Sequence, residues 1–247
     1  MRRVAILGGT RGMGRSIARK FAERGDWVAL LGRDVEELER SRQDLIARGT
    51  PGVRVTVAAC DLEQTESFRP ALEAAEQGLE GLDTVVVTAG LFATQEKLED
   101  DPVLTQKLLT VDFANTVVFC EEARKKLLLR GAGTLCVFSS VAGDRGRKKV
   151  VLYGAAKAGL SAYLEGLDHR YKSQGLTTVC VKPGFVRTGM TEGLPTPPFA
   201  GEPDDVAQVV LQGIDAGTPI VYAPPIWRAV MTAIKAMPRF VMRRAGF

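Results

Sequence analysis

The sequence is poor in metal-binding residues. It contains one histidine, His169, and four cysteines among 247 residues, and no two cysteines form a Cys-x-x-Cys pair. This pattern offers no zinc site, so we expect no bound metal. Three cysteines lie in or beside apolar runs and the fourth lies in a helix-like segment, which predicts buried thiols in a reducing compartment. We therefore expect a cytoplasmic protein.

Long hydrophobic runs and a secretory leader are also lacking. No uncharged apolar stretch reaches about 18 residues, so no membrane-spanning helix is expected. The chain begins Met-Arg-Arg and passes directly into a short apolar run, which predicts no signal peptide. Hydrophobic residues nevertheless make up 45% of the chain, which is typical of a globular protein with a large core.

Acidic residues are missing from the end of the sequence. Residues 226–247 hold five of the 33 basic residues and no acid, and the other basic residues nearly balance the 29 acidic ones. The net charge of +4 therefore comes from this tail. A nucleic-acid-binding domain needs a basic face on its folded body, so we expect no nucleic-acid partner.

Strand-like and helix-like segments alternate along the chain. The strand-like segments are continuous apolar runs, which indicate a parallel sheet covered on both faces. Repeated βα units build an α/β, doubly wound parallel sheet, the Rossmann fold. We predict one such domain at 1–225 and an extension at 226–247. The predicted strands are 4–7, 27–31, 53–59, 82–88, 134–138, 177–181 and 219–222, and the predicted helices are 12–24, 35–48, 63–77, 103–130, 150–173 and 203–216.

Three polar residues follow the fifth predicted strand at a suggestive spacing. Tyr153 and Lys157 are four residues apart, so they share one face of a helix. The lysine cation favours the phenolate and should lower a tyrosine pKa that is ordinarily about 10, which suits a general acid or base. Ser140 lies where a hydroxyl at the end of a strand can meet a ligand. The alternative is an ordinary pair on a helix surface.

A glycine-rich turn joins the first strand to the first helix. It reads Gly-Gly-Thr-Arg-Gly-Met-Gly over residues 8–14. Such a turn lets backbone N–H groups approach a pyrophosphate at the start of a helix. A tight structural turn without a ligand is the alternative reading.

The end of the second strand bears on the choice between the two nicotinamide cofactors. NADH binding needs an acid there for the ribose hydroxyl, but Gly32 occupies that position and Arg33 follows. A guanidinium suits a 2′-phosphate, and Arg11 lies close enough in the turn to help. We therefore favour NADP(H) over NADH, with a solvated Arg33 as the alternative. Asp61 is either an acceptor for the adenine amino group or a helix N-cap.

Taken together, these motifs resemble the short-chain dehydrogenase/reductase family over residues 3–225. The resemblance rests on the glycine turn and on the runs at 61–62, 88–90, 139–143, 153–157 and 183–188. It implies that Tyr153 protonates the substrate oxygen, that Ser140 hydrogen-bonds the carbonyl, and that Lys157 holds the nicotinamide ribose. It also implies a homodimer or homotetramer. The implied cofactor contacts are Gly8, Thr10, Arg11, Gly12, Met13, Arg33, Asp61, Leu62, Ala89, Gly90, Tyr153, Lys157, Pro183, Gly184, Val186 and Thr188.

The sequence departs from the family pattern at three positions. Leu7 stands where the glycine motif usually begins with Thr, and Thr88 replaces an Asn. Asp112 occupies the position of an Asn that completes a proton relay. A carboxylate there can hold a relay water, although it adds charge near Lys157, so we include Asp112 among the catalytic residues. Asn115, one turn further on, is the alternative relay group.

Residues 139–247 are similar to the branch of this family that reduces decaprenylphosphoryl-2-keto-pentose. That likeness implies a keto-sugar on a polyprenyl phosphate, or a similar lipid-linked ketone, as the substrate. The alternatives are a ketoacyl or ketosphingoid substrate, and a regulatory protein that binds NADPH without turnover.

The tail separates into two faces when it is drawn as a helix. Arg228, Lys235, Arg239 and Arg243 cluster on one side, and an apolar stripe that begins at Trp227 lies opposite. Such a basic amphipathic helix suits the headgroup layer of an anionic membrane, which would place the protein on the inner face of the membrane. Alternatively, the stripe covers the protein core or a dimer interface. A proline at position 238 should kink or split this helix.

Overall fold

A single parallel sheet forms the centre of the molecule. The computed structural model describes residues 1–246. The sheet has the strand order β3-β2-β1-β4-β5-β6-β7, and every neighbouring pair is parallel. The strands are β1 (Arg3–Leu7), β2 (Trp27–Gly32), β3 (Val55–Ala59), β4 (Thr84–Val87), β5 (Gly133–Phe138), β6 (Leu176–Pro183) and β7 (Ile220–Ala223).

Helices cover both faces of this sheet. Within β1, Val4 and Ile6 pack in one core cluster, and Ala5 and Leu7 pack in the other. Both faces of the strand are therefore buried, which explains why the strands are continuous apolar runs. The helices are α1 (Gly12–Glu23), α2 (Val35–Arg48), α3 (Phe68–Gly78), α4 (Gln95–Asp100), α5 (Pro102–Leu109), α6 (Asn115–Leu129), α7 (Val151–Tyr171), α8 (Pro203–Ala216), α9 (Trp227–Ala236) and α10 (Arg239–Arg244).

The strand order reverses at β1, which pairs with β2 on one side and with β4 on the other. This confirms the predicted doubly wound Rossmann fold. Ligands bind such sheets at the carboxyl ends of the strands beside the point of reversal. The glycine turn follows β1 directly, so the sheet delivers it to that crevice.

The helix predicted at 103–130 is more complex than its sequence pattern indicates. It begins at Pro102, where the Asp101 carboxylate accepts hydrogen bonds from two backbone N–H groups at 3.0 and 2.9 Å. A π-helical turn at Thr110–Ala114 separates α5 from α6. The short α4 precedes it and was missed, because six residues are too few for a clear helical period.

By length and composition, the continuous helix Pro102–Leu129 could cross a membrane. A search for uncharged runs misses it because Lys107, Asp112 and Glu121 interrupt the sequence. Phe119, Cys120, Ala123 and Leu127 of α6 are fully buried in the core beside the sheet, whereas Val118 is 44% exposed. The structure therefore packs one face of this segment on the core.

The tail forms two helices that meet at Pro238, as predicted. The apolar face of α9 packs on the protein: Trp227, Met231 and Ile234 are buried in a cluster with Val141. Of the two readings of the apolar stripe, the structure thus shows a contact with the protein along α9. Further on, Phe240 is 63% exposed.

Candidate active site

The residues that follow β5 meet in one cavity. Ser140 comes directly after that strand, and Tyr153 and Lys157 lie one turn apart on α7, as the spacing predicted. All three line a cavity of about 490 Å³, a size typical of small-molecule sites. The sheet and α7 thus bring the predicted catalytic side chains together.

The tyrosine and the serine are held by their neighbours. The edge of the Phe92 ring meets Tyr153 at a centroid distance of 5.2 Å and an angle of 85°. The Ser140 hydroxyl accepts a hydrogen bond from the backbone N–H of Ala142 at 3.1 Å. It also lies 3.5 Å from the carbonyl oxygen of Pro183. These contacts fix both polar groups in a cavity whose lining is mostly apolar.

Lys157 forms a buried ion pair with Asp112. Its Nζ atom lies 3.4 Å from Asp112 Oδ2, and both side chains are at least 94% buried. The same Nζ lies 3.4 Å from the backbone oxygen of Phe138. Asp112 Oδ1 accepts a hydrogen bond from the Leu91 N–H at 2.6 Å, whereas the buried Oδ2 has no hydrogen-bond partner. The π-helical turn carries this carboxylate, so a local irregularity of the helix sets its position.

The pKa of Tyr153 differs from the sequence prediction, which expected Lys157 to lower it. Burial raises this pKa, and the Asp112 charge raises it further. The Lys157 charge and a hydrogen bond with Ser140 lower it, but they do not overcome the burial. The prediction was wrong because the sequence spacing shows only that Lys157 is near. It does not show how deeply Tyr153 is buried, or how strongly the Asp112 charge acts on it. A phenol with a raised pKa is protonated at neutral pH and is a proton donor.

The partners of Tyr153 are perturbed in the same environment. Burial by itself lowers the pKa of Lys157, but the charge of Asp112 and that of Tyr153 outweigh it and raise this pKa. Burial also raises the pKa of Asp112, against the opposing effect of Lys157. Lys157 is therefore charged at neutral pH, and Asp112 offsets part of its charge.

Asn115, the alternative relay group, is used elsewhere. Its amide Nδ2 donates a hydrogen bond of 2.6 Å to the carbonyl of Leu62. This contact ties α6 to the loop after β3. The Asn115 side chain is therefore engaged with Leu62, and Asp112 is the side chain that contacts Lys157.

The glycine turn is packed so closely that two of its positions have no room for a side chain. Gly8 has a φ angle of +90°, and a Cβ atom there would lie 2.6 Å from the Ala89 nitrogen. A Cβ at Gly14 would lie 2.2 Å from the Gly8 oxygen. Thr88, which replaces the usual Asn, donates its hydroxyl to the Leu7 and Gly8 carbonyls at 3.1 and 3.0 Å. Thr88, directly after β4, therefore holds the turn in place through hydrogen bonds, and the turn needs glycine at positions 8 and 14.

A second cleft of about 390 Å³ lies beside the catalytic cavity, and Gly90 lines both. The predicted nucleotide contacts divide between the two spaces. Met13, Pro183, Gly184, Val186 and Thr188 line the catalytic cavity. Those on the nucleotide side are Gly8, Thr10, Arg11, Arg33, Asp61, Leu62 and Ala89.

Gly12 begins α1 with a φ angle of +50° and lines neither space. A Cβ at that position would lie 3.3 Å from Thr188, so Gly12 permits the glycine turn to pass close to the nicotinamide side. The two spaces share Gly90 and Leu91 as lining residues, and together they are lined by most of the predicted dinucleotide contacts.

Two predicted charged contacts of this second cleft, Arg33 and Asp61, differ in their surroundings. The Arg33 side chain is 68% exposed and lies 3.4 Å from Glu63. Asp61 accepts a hydrogen bond from the Glu63 N–H at 3.0 Å, and no α-helix begins there. The carboxylate of Asp61 thus closes a local turn, in place of the N-cap role that was its alternative reading.

Sequence reasoning did not assign many residues of the cavity wall to the site, and Trp227, Phe199 and Arg147 are three of them. The Trp227 indole lies against Gly184, where a Cβ would be 2.0 Å from its Nε1. This Nε1 donates a hydrogen bond of 3.2 Å to the Phe199 carbonyl. Trp227 was placed on the apolar stripe of the tail, but nothing in the stripe shows where it packs. Arg147 also lines the cavity, and its only signal is a short basic run.

Comparison with known proteins agrees with this geometry. The model of a family described as short chain dehydrogenase matches residues 2–197. A Mycobacterium tuberculosis protein named an uncharacterized oxidoreductase is 31% identical over 98% of this chain and 96% of its own length. Carbonyl reductase family member 4 of Xenopus laevis is 26% identical over 84% of this chain and 88% of its own length.

The fold is also found among solved structures. A short-chain type dehydrogenase/reductase from Mycobacterium ulcerans superposes with a TM-score of 0.80 at 21% identity, covering 90% of this chain and 87% of its own. That likeness shows the shared fold. With the family match over residues 2–197, it leads to one conclusion: the chain belongs to the short-chain dehydrogenase family and is an NAD(P)-dependent oxidoreductase.

Proposed function

We propose that this protein reduces ketones with NADPH. The proposal is supported by the meeting of Ser140, Tyr153 and Lys157 in one mostly apolar cavity, which Met13 of the glycine turn also lines. When bound, the nicotinamide supplies the hydride. Tyr153 donates a proton to the carbonyl oxygen, and Ser140 donates a hydrogen bond to the same atom as its negative charge develops. The Tyr153 phenol holds its proton at neutral pH, as reduction requires of the proton donor.

The pH dependence of the reaction should change when Asp112 is replaced by asparagine. The carboxylate raises the pKa of Tyr153, so its neutralisation should lower that pKa. Reduction needs the protonated phenol, so its alkaline limit moves to lower pH in D112N. Oxidation of the alcohol needs the phenolate, so it becomes active at lower pH.

Profiles of kcat/KM against pH in both directions measure this shift. Asp100→Asn removes an exposed carboxylate of α4 and serves as the control. Unchanged profiles for D112N would remove Asp112 from the account.

The preference for NADPH rests on Arg11 and Arg33, which line the nucleotide cleft. Replacing Arg33 by glutamine should weaken NADPH binding about tenfold to a hundredfold, because a charged hydrogen bond to the 2′-phosphate is lost. NADH binding should be unchanged. Fluorescence titration of both cofactors measures the difference, with Arg40→Gln as a control on an exposed helix face. Equal losses for both cofactors would contradict the assignment.

For the substrate, we propose a keto-sugar on a polyprenyl phosphate or a similar lipid-linked ketone. The cavity wall supports it, because Leu194, Pro197, Phe199, Trp227 and Val230 give the space beyond Tyr153 an apolar lining. The likeness of residues 139–247 to the decaprenylphosphoryl-2-keto-pentose reductase branch points the same way. Turnover of lipid-linked keto-sugars, compared with ketoacyl and ketosphingoid substrates, tests the choice. Oxidation of NADPH with none of them would favour the non-catalytic alternative.

Peripheral membrane contact is part of this proposal. On α10, Phe240 is 63% and Val241 37% exposed, and the helix carries basic neighbours suited to anionic headgroups. The F240S/V241S variant should lose flotation with phosphatidylglycerol vesicles, whereas Leu129→Ser, at a residue that is 87% exposed on α6, should keep it. Equal flotation of the two variants, or none for the unmodified protein, would contradict the contact.

We also propose self-association as a homodimer or homotetramer through α6 and α7. These helices carry exposed apolar side chains at Val118 and Val151, which are 44% and 52% exposed. Light scattering on the purified protein gives the oligomeric state directly.

A further inference from the structure

A third cavity of about 590 Å³ lies on the opposite side of the loop that follows Ser140. This space, here called the basic cleft, runs between that loop, the start of α7 and α10. None of its described lining residues is acidic. Its charged lining residues are Arg145, Arg147, Lys148, Arg239 and Arg243.

The nearest acid in the sequence does not neutralise this cluster. The carboxylate of Asp144 binds Lys182 at 2.5 Å and the Tyr222 hydroxyl at 2.7 Å. Both partners belong to the sheet side of the loop, on β6 and β7. Asp144 is therefore engaged with Lys182 and Tyr222, and none of the five lining cations forms an ion pair with a described residue of the chain.

Arg147 connects the basic cleft with the catalytic cavity, because it lines both. Its Nε atom is buried and has no hydrogen-bond partner. Burial lowers the pKa of this guanidinium, an effect that the charge of Asp144 opposes. A buried guanidinium nitrogen without a partner is costly unless an anion binds it. The donor is thus in place for a ligand that reaches both spaces.

We infer that the basic cleft binds a phosphoryl group of the substrate while its carbonyl lies at Ser140 and Tyr153. This inference rests on the proposed function and makes its substrate a ketone that carries phosphate. Planar guanidinium groups bind two phosphate oxygens at once. Several cations around one cleft can therefore contact the non-bridging oxygens of a phosphoryl group from more than one side. A nucleic acid fits less well, because the described lining offers no aromatic ring for a base to stack on.

Binding of inorganic phosphate to the NADP⁺-saturated protein tests the inference by calorimetry. Saturation with NADP⁺ fills the nucleotide cleft, so phosphate at Arg11 and Arg33 does not interfere. We expect R147Q and the double variant R239Q/R243Q each to weaken phosphate binding about tenfold or more. Because the double variant changes only surface residues of α10, it also covers the case in which R147Q does not fold.

The chain supplies matched controls for both variants. Lys149 and Arg244 are neighbours of cleft residues but do not line the cleft, so K149Q and R244Q should bind phosphate normally. Absence of phosphate binding to the unmodified protein, or equal losses in variants and controls, would overturn the inference. The same holds if the cleft variants lose only flotation with phosphatidylglycerol vesicles, since the cations would then serve a lipid headgroup.

A kinetic comparison separates this inference from the proposed function. With dihydroxyacetone phosphate and dihydroxyacetone as probes, R147Q should lower kcat/KM for the phosphorylated ketone at least tenfold more than for the neutral one. Turnover of ketones without phosphate binding would defeat the inference and leave the proposed function standing. Phosphate binding that depends on Arg147, without turnover of any ketone, would support the phosphate site and contradict the proposed function.

Discussion

Replacement of Tyr153 by phenylalanine is expected to lower ketone reduction by about 10²–10⁴-fold, the usual contribution of a positioned proton donor. The change removes one oxygen atom and keeps the ring that packs on Phe92. Cofactor affinity should therefore change little. Steady-state rates and NADPH titration separate the two effects.

Tyr163 provides the matched control for this experiment. It lies on the same helix, and its hydroxyl donates to Glu121 at 2.8 Å, outside the catalytic cavity. Tyr163→Phe makes the same chemical change and should leave turnover within about a factor of two of the unmodified protein, since no proton donor is lost. Full activity of the Tyr153→Phe variant would show that Tyr153 is not the proton donor.

Replacement of Lys157 by methionine should affect stability as well as turnover. Methionine keeps the length of the side chain, but it leaves the Asp112 carboxylate buried without its cation. Breaking a buried ion pair from one side costs about 3–5 kcal/mol in the free energy of unfolding. In the double variant D112N/K157M, most of that stability should return while activity remains lost.

The stability loss of K157M should depend on pH in a definite direction. Burial raises the pKa of Asp112 above its ordinary value, and loss of Lys157 raises it further. A carboxyl group with a raised folded-state pKa stabilises the fold below its unfolded pKa, and this stabilisation is lost as the pH rises through the folded-state value. K157M should therefore be least stable, relative to the unmodified protein, at neutral and alkaline pH.

Urea unfolding at several pH values measures this effect. Lys125→Met breaks an exposed ion pair with Glu122 and should cost about 1 kcal/mol or less. Equal stabilities of K157M and K125M would show that the Asp112–Lys157 pair does not have the assigned role.

Much of the fold could be predicted because its signals are local. A strand buried on both faces is a continuous apolar run, and Val4 to Leu7 shows why: neighbouring residues enter different cores. The glycine turn and the α7 spacing are equally local. The π-helical turn at Thr110–Ala114 has no comparable pattern, so its effect on Asp112 appears only in the folded chain.

The electrostatics of the site depended on tertiary structure. The spacing of Tyr153 and Lys157 predicted a lowered tyrosine pKa, and the sequence already placed Asp112 near the lysine. How deeply these groups are buried, and therefore which effect prevails, follows from the packing of α7 on the sheet and not from spacing. The same reason explains the tail. Its helical pattern identified an apolar face beginning at Trp227, but only the structure shows that face closing the catalytic cavity.

In the proposed reaction, hydride moves from NADPH to a ketone held at Tyr153. The direct measurement uses NADPH deuterated at C4, a panel of neutral, phosphorylated and lipid-linked ketones, and mass spectrometry of the products. We predict one deuterium on the carbinol carbon of at least one product with the unmodified protein, and labelling that is about 10²–10⁴-fold slower with Y153F. A protein that binds the cofactor but labels no ketone, or a Y153F variant that labels as well as the unmodified protein, would contradict the account.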